Sequence, residues 1–171
     1  MEETEDQVVA EEQRQFIRFR IADGDYGMEL LRVKEVIRCS EATRLPKEPP
    51  FVRGIINLRG DVIPILDLRE RLGFEPKERT RKTRVIVVET EGRLIGMVAD
   101  SASQVVQIPV KQIEPPPPTP YHTSQRYIQG VGKLNGAIII LLNIDALLSM
   151  DERAALDLLG GTVPELSGVE A

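Results

Sequence analysis

Phe51 to Leu72 reads FVRGIINLRGDVIPILDLRERL, and Tyr127 to Leu148 reads YIQGVGKLNGAIIILLNIDALL. Laid one beneath the other they align without a gap at a constant offset of 76: Gly54 with Gly130, Leu58 with Leu134, Gly60 with Gly136, Ile63 with Ile139, Leu66 with Leu142 and Leu72 with Leu148. Other pairs are conservative, such as Phe51 with Tyr127 and Asp67 with Asn143. The preceding segments correspond at an offset of 69, which sets Gly27 and Met28 on Gly96 and Met97 and Val36 on Val105. The seven-residue difference is an insertion in the second half, assigned to Ile113–His122, where Pro115 to Pro118 and Pro120 impose an extended path. A chain that repeats itself is two copies of one structural unit. The copies span about residues 16–72 and 85–148, with a polar, basic connector at 73–84.

Each copy reads as a set of short strands. Ile17 to Ile21 alternates apolar and charged residues, and Asp23-Gly24-Asp25 supplies a turn before Tyr26-Gly27-Met28. Val85 to Glu89 and Leu94 to Val98 flank Thr90 to Arg93 as the matching hairpin of the second copy. Arg59-Gly60-Asp61 and Asn135-Gly136 are tight-turn sequences that open the β-rich runs 62–66 and 137–142. Pro64 has no N–H to donate, which places its strand at an edge or bulge. Leu30 to Ile37 carries apolar residues at a helical spacing and predicts a short turn before the next strand. A longer helix is predicted over 151–160, with Ser149 and Glu152 in capping-box spacing and Gly160-Gly161 as a stop. The expected fold is all-β with minor helix, two small barrels packed side by side and a short C-terminal helix, with room for strands to exchange between the halves.

Composition narrows the function. A chain of 171 residues buries roughly two-thirds of its unfolded surface and needs no disulfide or metal to hold a core. Its single cysteine, Cys39, can form no internal bridge, and no basic segment followed by an apolar core reads as an export signal, so a reducing, cytoplasmic setting is expected. The apolar run Ala137 to Leu142 is far short of the roughly 20 residues that cross a bilayer. The net charge of -5 resides in residues 1–15, which hold six acids against Arg14 and are expected to form a disordered acidic tail; residues 161–171 at the other end are expected to be a flexible tail. The remainder has 21 acids and 21 bases, a balanced surface.

Catalytic groups are scarce. The only histidine, His122, lies in the proline-rich stretch without a serine or cysteine in a recognised spacing, and one cysteine with one histidine makes no four-ligand zinc site. No Asp-rich cation loop or glycine-rich phosphate cradle is present. Lys77 to Arg84 (KERTRKTR) holds five bases, yet no stacking aromatics accompany them, so a nucleic-acid role is the weaker reading. The expected protein is not an enzyme and takes no cofactor.

Val52-Arg53-Gly54-Ile55-Ile56-Asn57-Leu58-Arg59-Gly60-Asp61-Val62-Ile63-Pro64-Ile65-Leu66-Asp67-Leu68 resembles the signature of the CheW family of chemotaxis coupling proteins. Tyr26-Gly27-Met28 with Val33, Glu35 and Val36, then Gly96 to Asp100 with Val105, then Gly130 to Leu148, resemble that family in the same order, so the likeness covers about residues 16–150. The resemblance implies two five-stranded, SH3-like barrels and no catalytic activity. It implies two partners: the cytoplasmic tip of methyl-accepting chemoreceptors and the regulatory domain of the histidine kinase CheA, in membrane-associated arrays without direct membrane insertion.

Carried over by position, Val33, Glu35, Val36, Gly54, Arg59 and Val105 would form or support the receptor-binding groove. Thr43, Leu45, Ile113 and Glu114 would serve kinase binding at the barrel ends. The alternative for the valines is ordinary core, and for Arg59 the bracing of a turn. At the level of function, the alternatives are a CheW-like regulatory module with a non-flagellar output and, more remotely, a nucleic-acid-binding barrel.

Overall fold

The computed structural model describes residues 12–38, 52–75, 77–116 and 127–147. Among the described residues the strands are β1 (Gln13–Ile21), β2 (Gly24–Glu29), β3 (Val33–Arg38), β4 (Val52–Leu58), β5 (Asp61–Asp67), β6 (Arg84–Thr90), β7 (Arg93–Ala99), β8 (Ser101–Pro109), β9 (Ile113–Glu114), β10 (Ile128–Leu134) and β11 (Ala137–Leu142). One helical turn, α1 (Leu68–Arg71), follows β5. Among the described residues 3-10 turns lie at Leu30–Arg32, Val110–Gln112 and Asp145–Leu147. Among the described residues no helix is long and apolar enough to cross a membrane.

The strands form two curled sheets in the paired SH3-like plan, with orders β8-β1-β2-β11-β10-β9 and β3-β6-β7-β5-β4. The sheets do not follow the halves of the sequence. The first sheet takes the β1–β2 hairpin from the first copy and its other strands from the second; the second sheet takes β6–β7 from the second copy and its other strands from the first. Connection length explains the exchange. For β3 to lie beside β1 in the hairpin's own sheet it would have to run parallel to β2, and such a return needs a crossover of about a dozen residues. Only Leu30–Arg32 separates β2 from β3, and only Asp100 separates β7 from β8. Each chain segment therefore steps across to the other sheet.

The exchange also accounts for the apolar pattern. Ile86 and Val88 point into the layer shared by the two sheets, with Ile17, Phe19, Met28, Ile95 and Met97, whereas Val85 and Val87 fill the barrel of their own sheet with Ile63. A strand buried on both faces reads as an unbroken apolar run, as Val85 to Val88 does. Gly27 and Gly96 recur because each hairpin's second strand pairs in parallel with β11 or β5 across a tight gap. A Cβ on Gly96 would stand 2.6 Å from Val85 Cγ1, and one on Gly27 would stand 3.1 Å from Leu141 Cδ2. Gly96→Ala is expected to destabilise the protein by about 2 kcal/mol through overpacking, read as a lower urea midpoint at unchanged slope.

Several expectations shift in register. The first hairpin turns at Ala22-Asp23, with Ala22 at φ 54, and Gly24 is already paired with Ile21. Gly24 is glycine for space, since a Cβ there would meet Tyr26 Cε1 at 2.9 Å. The helical spacing of 30–37 resolves into a three-residue 3-10 turn followed by β3. β5 is an interior strand, not an edge, but its pairing with β7 begins at Ile65, so Pro64 stands just ahead of it. β1 starts at Gln13, which takes the last residues of the expected tail into the sheet. The predicted helix at 151–160, Cys39, His122 and both terminal extremes lie outside the described residues.

Candidate functional site

Asn57 to Asp61 builds the turn that carries Arg59. Arg59 and Gly60 take φ 52 and φ 90, and the Gly60 N–H donates to Asn57 Oδ1 at 3.0 Å. Two successive residues at positive φ match the right-handed twist of the flanking strands, which is why Asn-Leu-Arg-Gly closes this hairpin. At the base of the hairpin Gly54 sits at φ 150 where the β4–β5 register shifts, a bulge repeated by Gly130 in β10. Asp67 then caps α1 by accepting the Arg69 N–H at 2.9 Å, and Asn143 repeats this toward Ala146 at 3.2 Å. The Asp67-Leu68 part of the signature is thus a strand-to-helix cap.

From this turn Arg59 reaches Glu35 on β3 with two hydrogen bonds, 2.5 Å to Oε2 and 3.2 Å to Oε1. The carboxylate's hydrogen bond, then its charge, holds the Arg59 guanidinium's pKa above its ordinary value. The Arg59 side chain stays 74% exposed and that of Glu35 26% exposed. β3 and β4 are the two outer strands of their sheet, so the pair spans the seam where that barrel closes.

Repeat-equivalent positions in the other barrel are Gln104 and Asn135, which carry no charge. There the short β9 lies beside β10 instead, with Val131 opposite Glu114 and Gly132 opposite Ile113.

Val33 and Val36 lie on β3 and pack against the shared core layer. Their cross-strand partners, Val88 and Ile86, belong to the same layer, as expected for side chains on one face. Val105 is on β8 of the other sheet, opposite Ile17 of that layer, and is 46% exposed. The fold therefore joins Glu35 and Arg59 directly, sets the partly buried Val33 and Val36 on the other face of β3 against the shared core, and places Val105 on the other sheet. Gly54 contributes backbone geometry.

Of the residues assigned to kinase binding, Thr43 and Leu45 lie outside the described residues. Ile113 and Glu114 form β9, where Ile113 packs on the barrel core and Glu114 pairs with Lys133 at 2.7 Å. β9 can approach because Gly130 lacks a side chain: a Cβ there would stand 3.0 Å from the Glu114 carbonyl oxygen and 3.2 Å from Ile113 Cγ2. Gly130→Val should detach β9 with a stability loss of about 1–3 kcal/mol, visible as faster amide exchange confined to 113–114 and 131–132.

Sequence reasoning passed over two ion pairs at the crossovers. Arg69 Nη1 donates to Asp100 Oδ2 at 2.6 Å, and Arg32 meets Asp145 with two hydrogen bonds, 3.2 and 2.8 Å. The hydrogen bond to Asp145 raises the pKa of Arg32. The repeat alignment holds the signal, since the offset of 76 sets Asp145 on Arg69. Leu31, 91% exposed in the first crossover, and Ile138, 61% exposed on β11, are large apolar side chains in solvent that the sequence reading did not single out. Among the described residues no three His, Cys, Asp or Glu side chains gather as a metal site.

The model for the CheW-like domain matches residues 15–152. The chemotaxis protein CheW of Klebsiella aerogenes is 33% identical over 144 residues, covering 84% of this chain and 87% of that protein. The CheW of Rhizobium meliloti is 32% identical over 142 residues, covering 83% and 92%. The crystal structure of the scaffolding protein TtCheW from Thermoanaerobacter tengcongensis superposes with a TM-score of 0.76 at 31% identity, covering 82% of this chain and 96% of that one.

Proposed function

The chain belongs to the CheW-like family and is a chemotaxis coupling protein, and on that premise we propose that it binds a chemoreceptor tip and the regulatory domain of CheA at the same time, without catalysing a reaction. The observation that carries the receptor half of this reading is the charged seam of one barrel. Both barrels follow one plan, yet the repeat-equivalents of Arg59 and Glu35 are Asn135 and Gln104, so the plan does not demand a guanidinium and a carboxylate at these two positions. On the other face of β3, Val33 and Val36 are partly exposed apolar side chains packed on the shared core. A receptor tip is a helical hairpin. An apolar strip with an arginine at its border suits one helix face, and the planar fork of Arg59 can exchange Glu35 for a partner carboxylate.

The kinase half rests on the barrel end that carries β9, on the other sheet. Two separate surfaces permit simultaneous binding, which is what a coupling protein requires. It would act in the cytoplasm, recruited to membrane-associated receptor arrays through these partners.

The test is reconstitution from purified parts. A soluble receptor-tip hairpin and the kinase regulatory domain are mixed with the chain and resolved by size-exclusion chromatography. A complex containing all three is expected. Competition between receptor and kinase for one face, or binding of neither, would refute the proposal.

A further inference from the structure

The ion pairs at the two crossovers stand at equivalent places with their charges reversed. Arg69 follows β5 and meets Asp100 at the end of β7; Asp145 follows β11 and meets Arg32 at the end of β2. The repeat sets Asp145 on Arg69 and Asp100 on Leu31, one position from Arg32. Where the first copy contributes a cation, the second contributes an anion. The Arg69–Asp100 side chains are only 14% and 16% exposed, and Arg32–Asp145 32% and 48%. Further bonds hold each pair in register: Asp100 Oδ2 accepts from the Ala22 N–H at 2.8 Å, and Asp145 Oδ1 accepts from the Thr90 hydroxyl at 2.9 Å.

Neither half can close a barrel from its own strands, because the crossovers are too short, so each half must be completed by another unit of the same plan. Two such units exist: the other half of the chain, or the same half of a second copy. In a pairing of first halves, Arg69 of one copy would take the place of Asp145 and face Arg32 of the other. In a pairing of second halves, Asp145 would take the place of Arg69 and face Asp100. Both homotypic contacts set like charges together where the native pairing has hydrogen-bonded ion pairs.

We infer that the reversed polarity of Arg69–Asp100 and Arg32–Asp145 makes the exchange surface of each half accept the other half and reject a second copy of itself. Like charges forced together at a partly desolvated contact discriminate strongly between partners. The apolar contacts of the shared layer do not discriminate in this way, since both copies supply similar Val, Ile, Leu and Met side chains to it.

The inference is tested with the full chain carrying a protease site in the exposed connector at 77–82. The folded protein is nicked, denatured, refolded, and its half-by-half pairing counted by native mass spectrometry. The wild type is expected to return one half of each kind in every particle. Arg32→Asp with Asp145→Arg keeps a native ion pair of opposite polarity but makes both homotypic contacts attractive, so homotypic particles should rise by about tenfold or more. Arg69→Asp with Asp100→Arg does the same by the other route and serves if the first variant does not fold. All four substitutions together make the homotypic contacts repulsive again and should return the wild-type pattern. Equal homotypic fractions across the set overturn the inference, as does a nicked wild type that fails to reassemble, or loss of reassembly in both double variants.

Discussion

Arg59→Glu should abolish binding of the receptor tip while the protein melts within about 4 °C of the wild type and still binds the kinase regulatory domain. The substitution sets a second carboxylate beside Glu35 on the β3–β4 seam. Because the Arg59 side chain is 74% exposed, solvent screens most of the repulsion within the fold. The repeat-equivalent positions of the other copy are Gln104 and Asn135, so the shared plan does not require a charge pair at these two places. Binding is different, since a helix docking over this rim excludes water and leaves two carboxylates without a cation. The exchange variant Glu35→Arg with Arg59→Glu separates two mechanisms. It restores the internal pair; recovery of binding would mean that the pair acts as a unit, and continued loss would mean that the guanidinium at position 59 itself meets the partner. Receptor binding by the single variant at wild-type affinity would refute the assignment.

Asp100→Ala should cost about 3 kcal/mol of stability and lower the melting temperature by roughly 10 °C. Asp100 is the only residue between β7 and β8, and its groups tie together parts of both sequence halves. Its carboxylate accepts from Arg69 and from the Ala22 N–H, and its own N–H donates to the Arg20 carbonyl at 3.0 Å. Truncation leaves the Arg69 guanidinium, 14% exposed, with only its hydrogen bond to the Glu75 carbonyl at 2.8 Å. A buried charge that loses its counter-ion is costlier than a pair removed together. The double variant Arg69→Met with Asp100→Ala should therefore unfold at a higher urea concentration than Asp100→Ala alone, a coupling read directly from the cycle. A single variant as stable as the wild type would show that the crossover is held by the shared core alone.

Turns and strands were legible because their chemistry is local. Arg59-Gly60, Glu91-Gly92 and Asn135-Gly136 all fold as the two-residue turns their sequences demand. Ala22 broke that rule because packing decided the register: Ile21 is fully buried, and pairing it with Gly24 makes room for the Tyr26 ring. Strand exchange was left open by the repeat alone, since two similar copies carry similar apolar faces and pattern does not say which copy pairs with which. The deciding signal was the shortness of the links at 30–32 and at Asp100.

For the candidate site, the signature pointed to Arg59 but not to Glu35 as its partner. That contact joins residues 24 apart in sequence through barrel closure, which no local pattern encodes.

Strand exchange also governs how the chain must mature as it leaves the ribosome. When Leu72 has emerged, β1 to β5 are all present, yet neither sheet can be completed, because the strands that fill the gaps have not been translated. The β3-β6-β7-β5-β4 sheet becomes possible only after Ala99, and the other only after Leu142. Neither lobe can therefore close before the second hairpin has been translated, and a nascent chain stalled in the connector would present unsatisfied strand edges and bare apolar faces to the cell's chaperones.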